Sequence, residues 1–420
     1  MAVDSKYPLS VKAGKPILSE CPNGWKKESL HNYLELVPRK VQLENDKEYD
    51  LLTVKRSRRG VVRREHLLGS QILVKSQFEV KTGDFVISKR QIVHGACGLV
   101  PEELDGSIVS NEYSVFQARP NFNLTYFKYL SETLYFQQTC FHSSIGVHIE
   151  KMIFKLDDWF KWNFNTPPLP EQQKISQILN TWDKAISTTE SLIANSQQQK
   201  KSLMQQLLTC KKRFAGFEKK WAEVKMKDVS DVRDGTHDSP QFIEKGYPLI
   251  TSKNLLKSGE LDLENVKFIS HDDYIQINKR SNVKVGDILF GMIGTIGTPV
   301  RVKLEDYAIK NVALIKEKKG MLNSFLIYYI ASGFVDRQFH RLNAGGTQKF
   351  IALGVLRNLR VQVPDIEEQQ KIVSVLSAAD QEIDTLQQKL THLKQEKKAL
   401  MQQLLTGKRR VKVDNETEAA

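Results

Sequence analysis

The stretch from Glu171 to Leu208, EQQKISQILNTWDKAISTTESLIANSQQQKKSLMQQLL, returns at Glu368 as EQQKIVSVLSAADQEIDTLQQKLTHLKQEKKALMQQLL. Pairing Glu171 with Glu368 and Met204 with Met401 gives the same offset, 197, with no gap between. A chain that repeats one long segment at that distance is built as two copies of a larger unit, so any fold it takes must accommodate both copies.

The second copy places Ile372, Leu376, Ala379, Ile383, Leu386, Leu390, Leu393, Leu400 and Leu404 at alternating spacings of four and three, interrupted at Lys397. That is a coiled-coil seam. The first copy keeps Ile175, Leu179, Trp182, Ile186, Ile193, Leu203 and Leu207 in register but carries Thr189, Ser196 and Lys200 at seam positions. Its seam is weaker in the middle. Neither copy contains Pro or Gly, and each follows a proline-bearing stretch (Pro167, Pro168 and Pro170; Pro364), which suits a helix start. A helix of roughly 38 residues is on the order of 55 Å long. One with a single apolar stripe needs a partner, and the obvious one is its own repeat.

The repeat reaches beyond the helices. Trp25 and Trp221 open the two halves, Gly83-Asp84-Phe85-Val86 recurs in type as Gly286-Asp287-Ile288-Leu289, and Pro167 matches Pro364. The expected organisation is a globular unit over 1–170, a long helix over 171–213, a second globular unit over 214–363, a second long helix over 364–410, and a polar tail over 411–420. The fold class is α+β, with two globular domains, a pair of long coiled-coil helices and a pseudo-twofold internal repeat. Both globular parts read as strand-rich, with runs such as Phe85-Val86-Ile87, Tyr247 to Thr251 and Val283 to Phe290. A helix is predicted from about Tyr126 to Phe141. The helices stay alike and the globular parts diverge, so the helices do a shared job and the domains do one kind of job on different targets.

The formal charge of +13 points to a polyanionic partner. It is locally concentrated: six of the ten residues from Lys55 to Arg64 are basic, the composition of a phosphate-contacting loop. The four cysteines are scattered, with no CxxC or CxxH spacing, so neither a zinc site nor a disulfide framework is expected and a reducing cytosol fits best. No apolar run approaches the roughly 20 residues that span a bilayer, and the first residues lack the apolar core of a signal peptide. A soluble, cytoplasmic protein is expected.

Catalytic signatures are missing. No segment supplies GxxxxGK[ST], and GMIGTIG (291–297) has no following Lys, so it reads as a strand turn. Asn165 to Leu169 lacks the order and the aromatic of the Asn-Pro-Pro-aromatic motif of amino-methylating enzymes. The carboxylates around Pro364 have the wrong spacing for a metal-dependent nuclease, and the nine histidines form no HExxH pair. No cofactor, no metal and no catalytic residue are expected.

The tracts PPLPEQQKI (167–175) and VPDIEEQQKI (363–372), each leading a long helix that closes with Met-Gln-Gln-Leu-Leu-Thr and a basic triplet, resemble those of the specificity subunit of type I restriction-modification systems. Asp234 to Pro240, Gly246 to Ile250 and Gly345 to Lys349 are similar to segments of that family's target recognition domains, and Arg90 to Gly95 is expected to stand in the first unit where the second has Gly235-Thr236-His237. The resemblance implies that each domain reads one half of a bipartite DNA target, that the helices pack antiparallel and keep the readers apart, and that chemistry belongs to partners. Those partners would be two methyltransferase subunits docked on the helix pair and motor-nuclease subunits for cleavage. Base-contact candidates are Arg56, Arg58, Arg59, Lys89, Arg90, Gln91 and His94 in the first unit, with Thr236, His237, Arg341, Gln348 and Lys349 in the second, because Arg matches guanine and Gln matches adenine by bidentate geometry. Gln198, Lys201, Gln205, Gln395, Lys398 and Gln402, away from the seam, are expected to meet the methyltransferase. Two other readings fit the sequence: a basic coiled-coil interaction scaffold, and the recognition subunit of a related restriction-modification enzyme.

Overall fold

The computed structural model describes residues 7–256, 258–293, 297–342 and 350–413. The chain divides into two units, Met1–Thr189 with Lys389–Ala420, and Glu190–Gln388. Both divisions fall inside long helices, Leu169–Leu207 and Ile366–Leu404, so each unit owns a globular part and a portion of each helix.

In the first unit the strand Lys26–Ser29 pairs antiparallel with Asn163–Thr166, Lys26 opposite Thr166. The chain therefore enters and leaves the domain side by side, and Pro167-Pro168 turns it into the helix. A four-stranded sheet follows the order Leu34–Leu36, Tyr113–Ala118, Phe85–Ser88, Cys97–Leu99. A second sheet, of five strands, includes the long hairpin Glu48–Val54 and Val61–Leu68, whose tip is the basic loop. The single helix expected from Tyr126 to Phe141 is two, Leu124–Leu130 and Leu134–His142. The break has a local cause: the Thr133 side chain accepts from the Phe136 amide and caps a new helix start. Phe85, Phe116, Phe127 and Trp159 form the core, closed by Ile175 and Leu179 of the first long helix and Leu404 and Leu405 at the end of the second.

The second unit repeats this plan. Ala222–Lys225 pairs antiparallel with Arg360–Val363, and a four-stranded sheet runs Ser230–Asp234, Val312–Glu317, Ile288–Gly291, Pro299–Arg301. Strand for strand, that is the order found in the first unit. The remaining sheet differs: it has four strands, Phe242–Ile243, Lys267–Ile269, Tyr247–Thr251 and Ala308–Lys310, with the helix His271–Ser281 against it. Phe290, Phe325, Leu326 and Tyr329 pack with Leu207, Leu208, Ile372 and Leu376.

Within each unit the two helix segments run antiparallel. In the second unit Arg213 meets Glu368, Lys200 meets Asp380 and Ser196 donates to Glu382 at 3.0 Å, so positions rise along one helix as they fall along the other. In the first, Arg410 meets Glu171 and Lys397 meets Asp183 at 2.5 Å. The polar seam positions thus explain themselves. Lys200 and Lys397 stand at the offset of the repeat, as do their partners Asp380 and Asp183, and each breaks an apolar seam only to be neutralised across it. Thr189 and Ser196 are buried and hydrogen-bonded, Thr189 to the Ala185 carbonyl.

Helix junctions and a candidate nucleic-acid interface

The Glu-Gln-Gln tract at each helix start is a clamp. Glu171 is 3% exposed and accepts Trp25 Nε1 at 3.0 Å and the Arg410 guanidinium at 2.7 and 2.8 Å. Glu368, 1% exposed, accepts Trp221 Nε1 at 2.8 Å and Arg213 at 2.9 and 2.7 Å. Each charge-assisted pair answers the cost of burying a carboxylate. The next residue ties the domain to the helix. Gln172 accepts from the Asn123 amide at 2.9 Å and donates to the Asn121 and Pro167 carbonyls, while Gln369 accepts from the Leu322 amide at 2.8 Å and donates to Gly320 and Pro364. The third residue of each basic triplet is therefore an internal partner of the repeat.

The same logic recurs one layer along. The Tyr129 hydroxyl lies 2.6 Å from Asp183, and the Tyr328 hydroxyl donates to Asp380 at 2.7 Å. Burial works against the Asp183 carboxylate, yet Lys397, Tyr129 and Lys128 together hold it below its usual range. Burial, then the Asp380 hydrogen bond and charge, push the Tyr328 phenol well up.

The basic loop of the first unit sorts its cations. Arg58 is partly buried: its Nε donates to the buried Ser131 carbonyl at 3.0 Å, and a side chain at Gly95 would meet its guanidinium at 3.1 Å. Ser57, Arg58 and Gly60 adopt positive φ, which bends the tip back over residue 95. Arg56, half exposed, donates from Nε to Gln91 at 2.8 Å and from Nη2 to Glu150 at 2.7 Å. Arg59 is exposed, Lys89 reaches the Asn111 carbonyl, and Arg90 is paired bidentately with Glu112 at 2.5 and 3.1 Å. His94 is 9% exposed, with Nε2 3.4 Å from Glu150. Burial, then the Arg56 charge, hold its pKa below the usual histidine range. Arg56, Gln91 and His94 are thus brought together, and the residue sequence reasoning missed is Glu150, which no motif marks.

One expected correspondence is corrected. Arg90 to Gly95 follows the strand Phe85–Ser88, whose counterpart is Ile288–Gly291, so it takes the place of the stretch of chain after Gly291. The counterpart of Gly235-Thr236-His237 is the stretch after Leu34–Leu36, Val37-Pro38-Arg39, where Arg39 pairs with the buried Asp84.

In the second unit Thr236 bonds through its backbone to Ile309 and Asn311. His237 faces Asn311 at 2.7 Å and Asp234 at 3.0 Å, and Asp234 also takes Arg280. Acceptors at both ring nitrogens, Asn311 first, raise the His237 pKa. Arg341 is exposed in the last turn of Gly333–Leu342; Gln348 and Lys349 lie outside the described residues, as does the whole Gly345 to Lys349 segment. Gln198, Lys201, Gln205, Gln395, Lys398 and Gln402 are all exposed. Lys201 and Gln205 line a groove between the helix and Ala331–Gly333 in the second unit, and Lys398 and Gln402 line its counterpart beside Glu132–Tyr135 in the first. Among the described residues no cluster of His, Cys, Asp or Glu could hold a metal, no helix is long and apolar enough to cross a membrane, and the four cysteines are free.

The family model described as type I restriction modification DNA specificity domain matches residues 22–195 and again 218–395, once for each copy of domain and helix start. The chain belongs to that family. It is similar to the type I restriction enzyme MjaVIII specificity subunit of Methanocaldococcus jannaschii, at 28% identity over 285 residues, 63% of this chain and 65% of the relative. A putative type I restriction enzyme MjaX specificity subunit of the same organism matches at 26% over 59% of each chain. The matched stretches thus span less than two thirds of these curated relatives. Among solved structures, the HsdS subunit from Thermoanaerobacter tengcongensis shares the fold at 18% identity and TM-score 0.51, covering 93% of this chain and 99% of that one. A chain from a structure of a type I R-M system, at 18% identity and TM-score 0.60, covers 93% and 100%.

Proposed function

We propose that the chain is a non-catalytic DNA-specificity subunit of a type I restriction-modification complex, working in the cytoplasm, that reads a bipartite duplex with one half-site per globular domain. The observation that carries this reading is the recurrence of one sheet order and one helix clamp in both units beside a second sheet that differs between them. A shared frame under variable surfaces is what two readers of different sequences need. The recognition domains are 1–170 and 214–363, with helices 171–213 and 364–410 and a tail 411–420. Exposed Lys55 and Arg59 track phosphates, while Arg56, Arg90, Gln91, His237 and Arg341 stand at or near base edges. Two methyltransferase subunits dock on the exposed helix faces around Lys201 and Gln205 and around Lys398 and Gln402, and flip the target base; a motor-nuclease subunit adds cleavage.

The test is duplex protection by the chain assembled with its methyltransferase subunits. Protection of one bipartite sequence, with affinity falling steeply as salt rises, supports the proposal. Binding to acidic proteins with no DNA affinity at low salt would favour the scaffold reading instead.

A further inference from the structure

Arginine reads guanine through two parallel N–H donors, and a guanidinium has two edges that offer such a pair. One edge is formed by Nε and the near hydrogen of Nη2, the other by Nη1 and the outer hydrogen of Nη2. In Arg56 the first edge is taken: Nε donates to Gln91 Oε1 at 2.8 Å and Nη2 to Glu150 Oε2 at 2.7 Å. Arg90 shows the same arrangement, with Nε and Nη2 both on Glu112. Among the described residues no hydrogen bond is made by Nη1 of either side chain.

The braces belong to one piece of structure. Gln91 and His94 lie on the turn after Phe85–Ser88, and Glu150 lies in the connection between the strands Ser144–Ile145 and Ile153–Phe154. The Phe154 amide donates to the Lys89 carbonyl at 2.8 Å, fastening that hairpin to the turn. The second oxygen of Glu150 stands 3.4 Å from His94 Nε2, a buried ring atom with no hydrogen bond. A carboxylate on a surface that must approach phosphates is unfavourable unless it orients a donor. Two such carboxylates, each on the inner edge of an arginine, fit that role.

We propose that Glu150 and Glu112 are positioning residues that brace Arg56 and Arg90 as two guanine-reading forks of the first domain, their Nη1/Nη2 edges presented to the major groove. The proposal deepens the DNA-reading function above and rests on it. Arg58 gives Nε to the Ser131 carbonyl and has no carboxylate brace, so it is not one of the two forks.

The experiment uses the full chain assembled with its methyltransferase subunits and a panel of duplexes carrying every single-base substitution of the target. Arg56→Lys and Arg90→Lys keep the charge and lose the fork; each is expected to reduce discrimination by about tenfold to a hundredfold at one G·C pair of the first half-site. Glu150→Ala is expected to relax the same pair as Arg56→Lys, and Glu112→Ala the same pair as Arg90→Lys, with the second half-site unchanged and the salt slope retained. Glu150→Gln, which keeps an acceptor, restores part of the discrimination. Uniform weakening on all duplexes, with no change in the preference among them, marks the arginines as phosphate contacts and overturns the proposal. So does a relaxed arginine variant whose glutamate variant reads the wild-type sequence. If the wild-type assembly prefers no sequence, the DNA-reading function falls together with this inference.

Discussion

The two units close on their helices in one way and face outward in two. Trp25, Glu171 and Arg410 in the first correspond to Trp221, Glu368 and Arg213 in the second, and Tyr129, Asp183 and Lys397 correspond to Tyr328, Asp380 and Lys200. Away from the helices, the first unit carries five strands with a basic hairpin tip, and the second carries four strands with a helix over Asp234 and His237. Buried charge tolerates little change because an unpaired carboxylate is costly, whereas a solvated sheet edge can be rebuilt. The comparison therefore separates what holds the architecture from what is free to acquire a target.

The largest break should come from the clamp. Glu171→Ala and Glu368→Ala each leave a buried tryptophan N–H unpaired and free an arginine, and each should cost its own unit about 3 kcal/mol in denaturant unfolding, with the other unit nearly unaffected. Next, Gln172→Ala and Gln369→Ala strand three backbone groups apiece and should cost about 2 kcal/mol. A cost confined to one of the two would show that the clamps are not equivalent.

The helix ends sharpen the contrast, because equivalent positions hold different residues. Gly407 and Cys210 stand at the repeat offset and both adopt positive φ, 69° and 57°. Cys210→Gly should stabilise the second unit by about 1 kcal/mol, since a side chain is disfavoured in that conformation. Gly407→Ala should destabilise the first by about 2 kcal/mol, because the added carbon would lie 2.3 Å from Pro22 in addition to the backbone strain. Thermal unfolding of both variants checks the opposite signs.

The smallest effects concern pH, and again the units oppose each other. His94 has a lowered folded pKa, so the unfolded chain binds its proton first; stability is full above about pH 6.5 and falls below it. His237 has a raised folded pKa, so its contribution is present below about pH 6.5 and is lost as pH rises through the folded value. His94→Gln and His237→Gln should each flatten the slope of one unit in melting curves taken between pH 5 and 8.

Much of the frame was legible in the sequence because periodicity and repetition report packing directly. The seam from Ile372 to Leu404, the matching tract from Ile175 and the strand Phe85–Ser88 emerged where the residue pattern placed them. The seam interruptions at Lys200 and Lys397 were visible as interruptions, yet their partners Asp380 and Asp183 could be assigned only once the antiparallel register was known. Arg213 and Arg410 were legible only as members of basic triplets, because such a triplet carries no sign of a buried carboxylate far along the chain. The same limit applies to the basic loop: composition marked Lys55 to Arg64, but only tertiary placement separates Arg58, spent on Ser131, from Arg56, braced outward by Gln91 and Glu150.

The account is tested most directly by mapping modified bases in the DNA of a host that expresses the wild-type chain or the Arg56→Lys variant with the methyltransferase subunits. Two short conserved half-sites with an unspecified spacer, only one of them relaxed by the variant, is the predicted result. A single uninterrupted motif, or a variant that alters both halves alike, would contradict the picture of two independent readers on a duplicated frame.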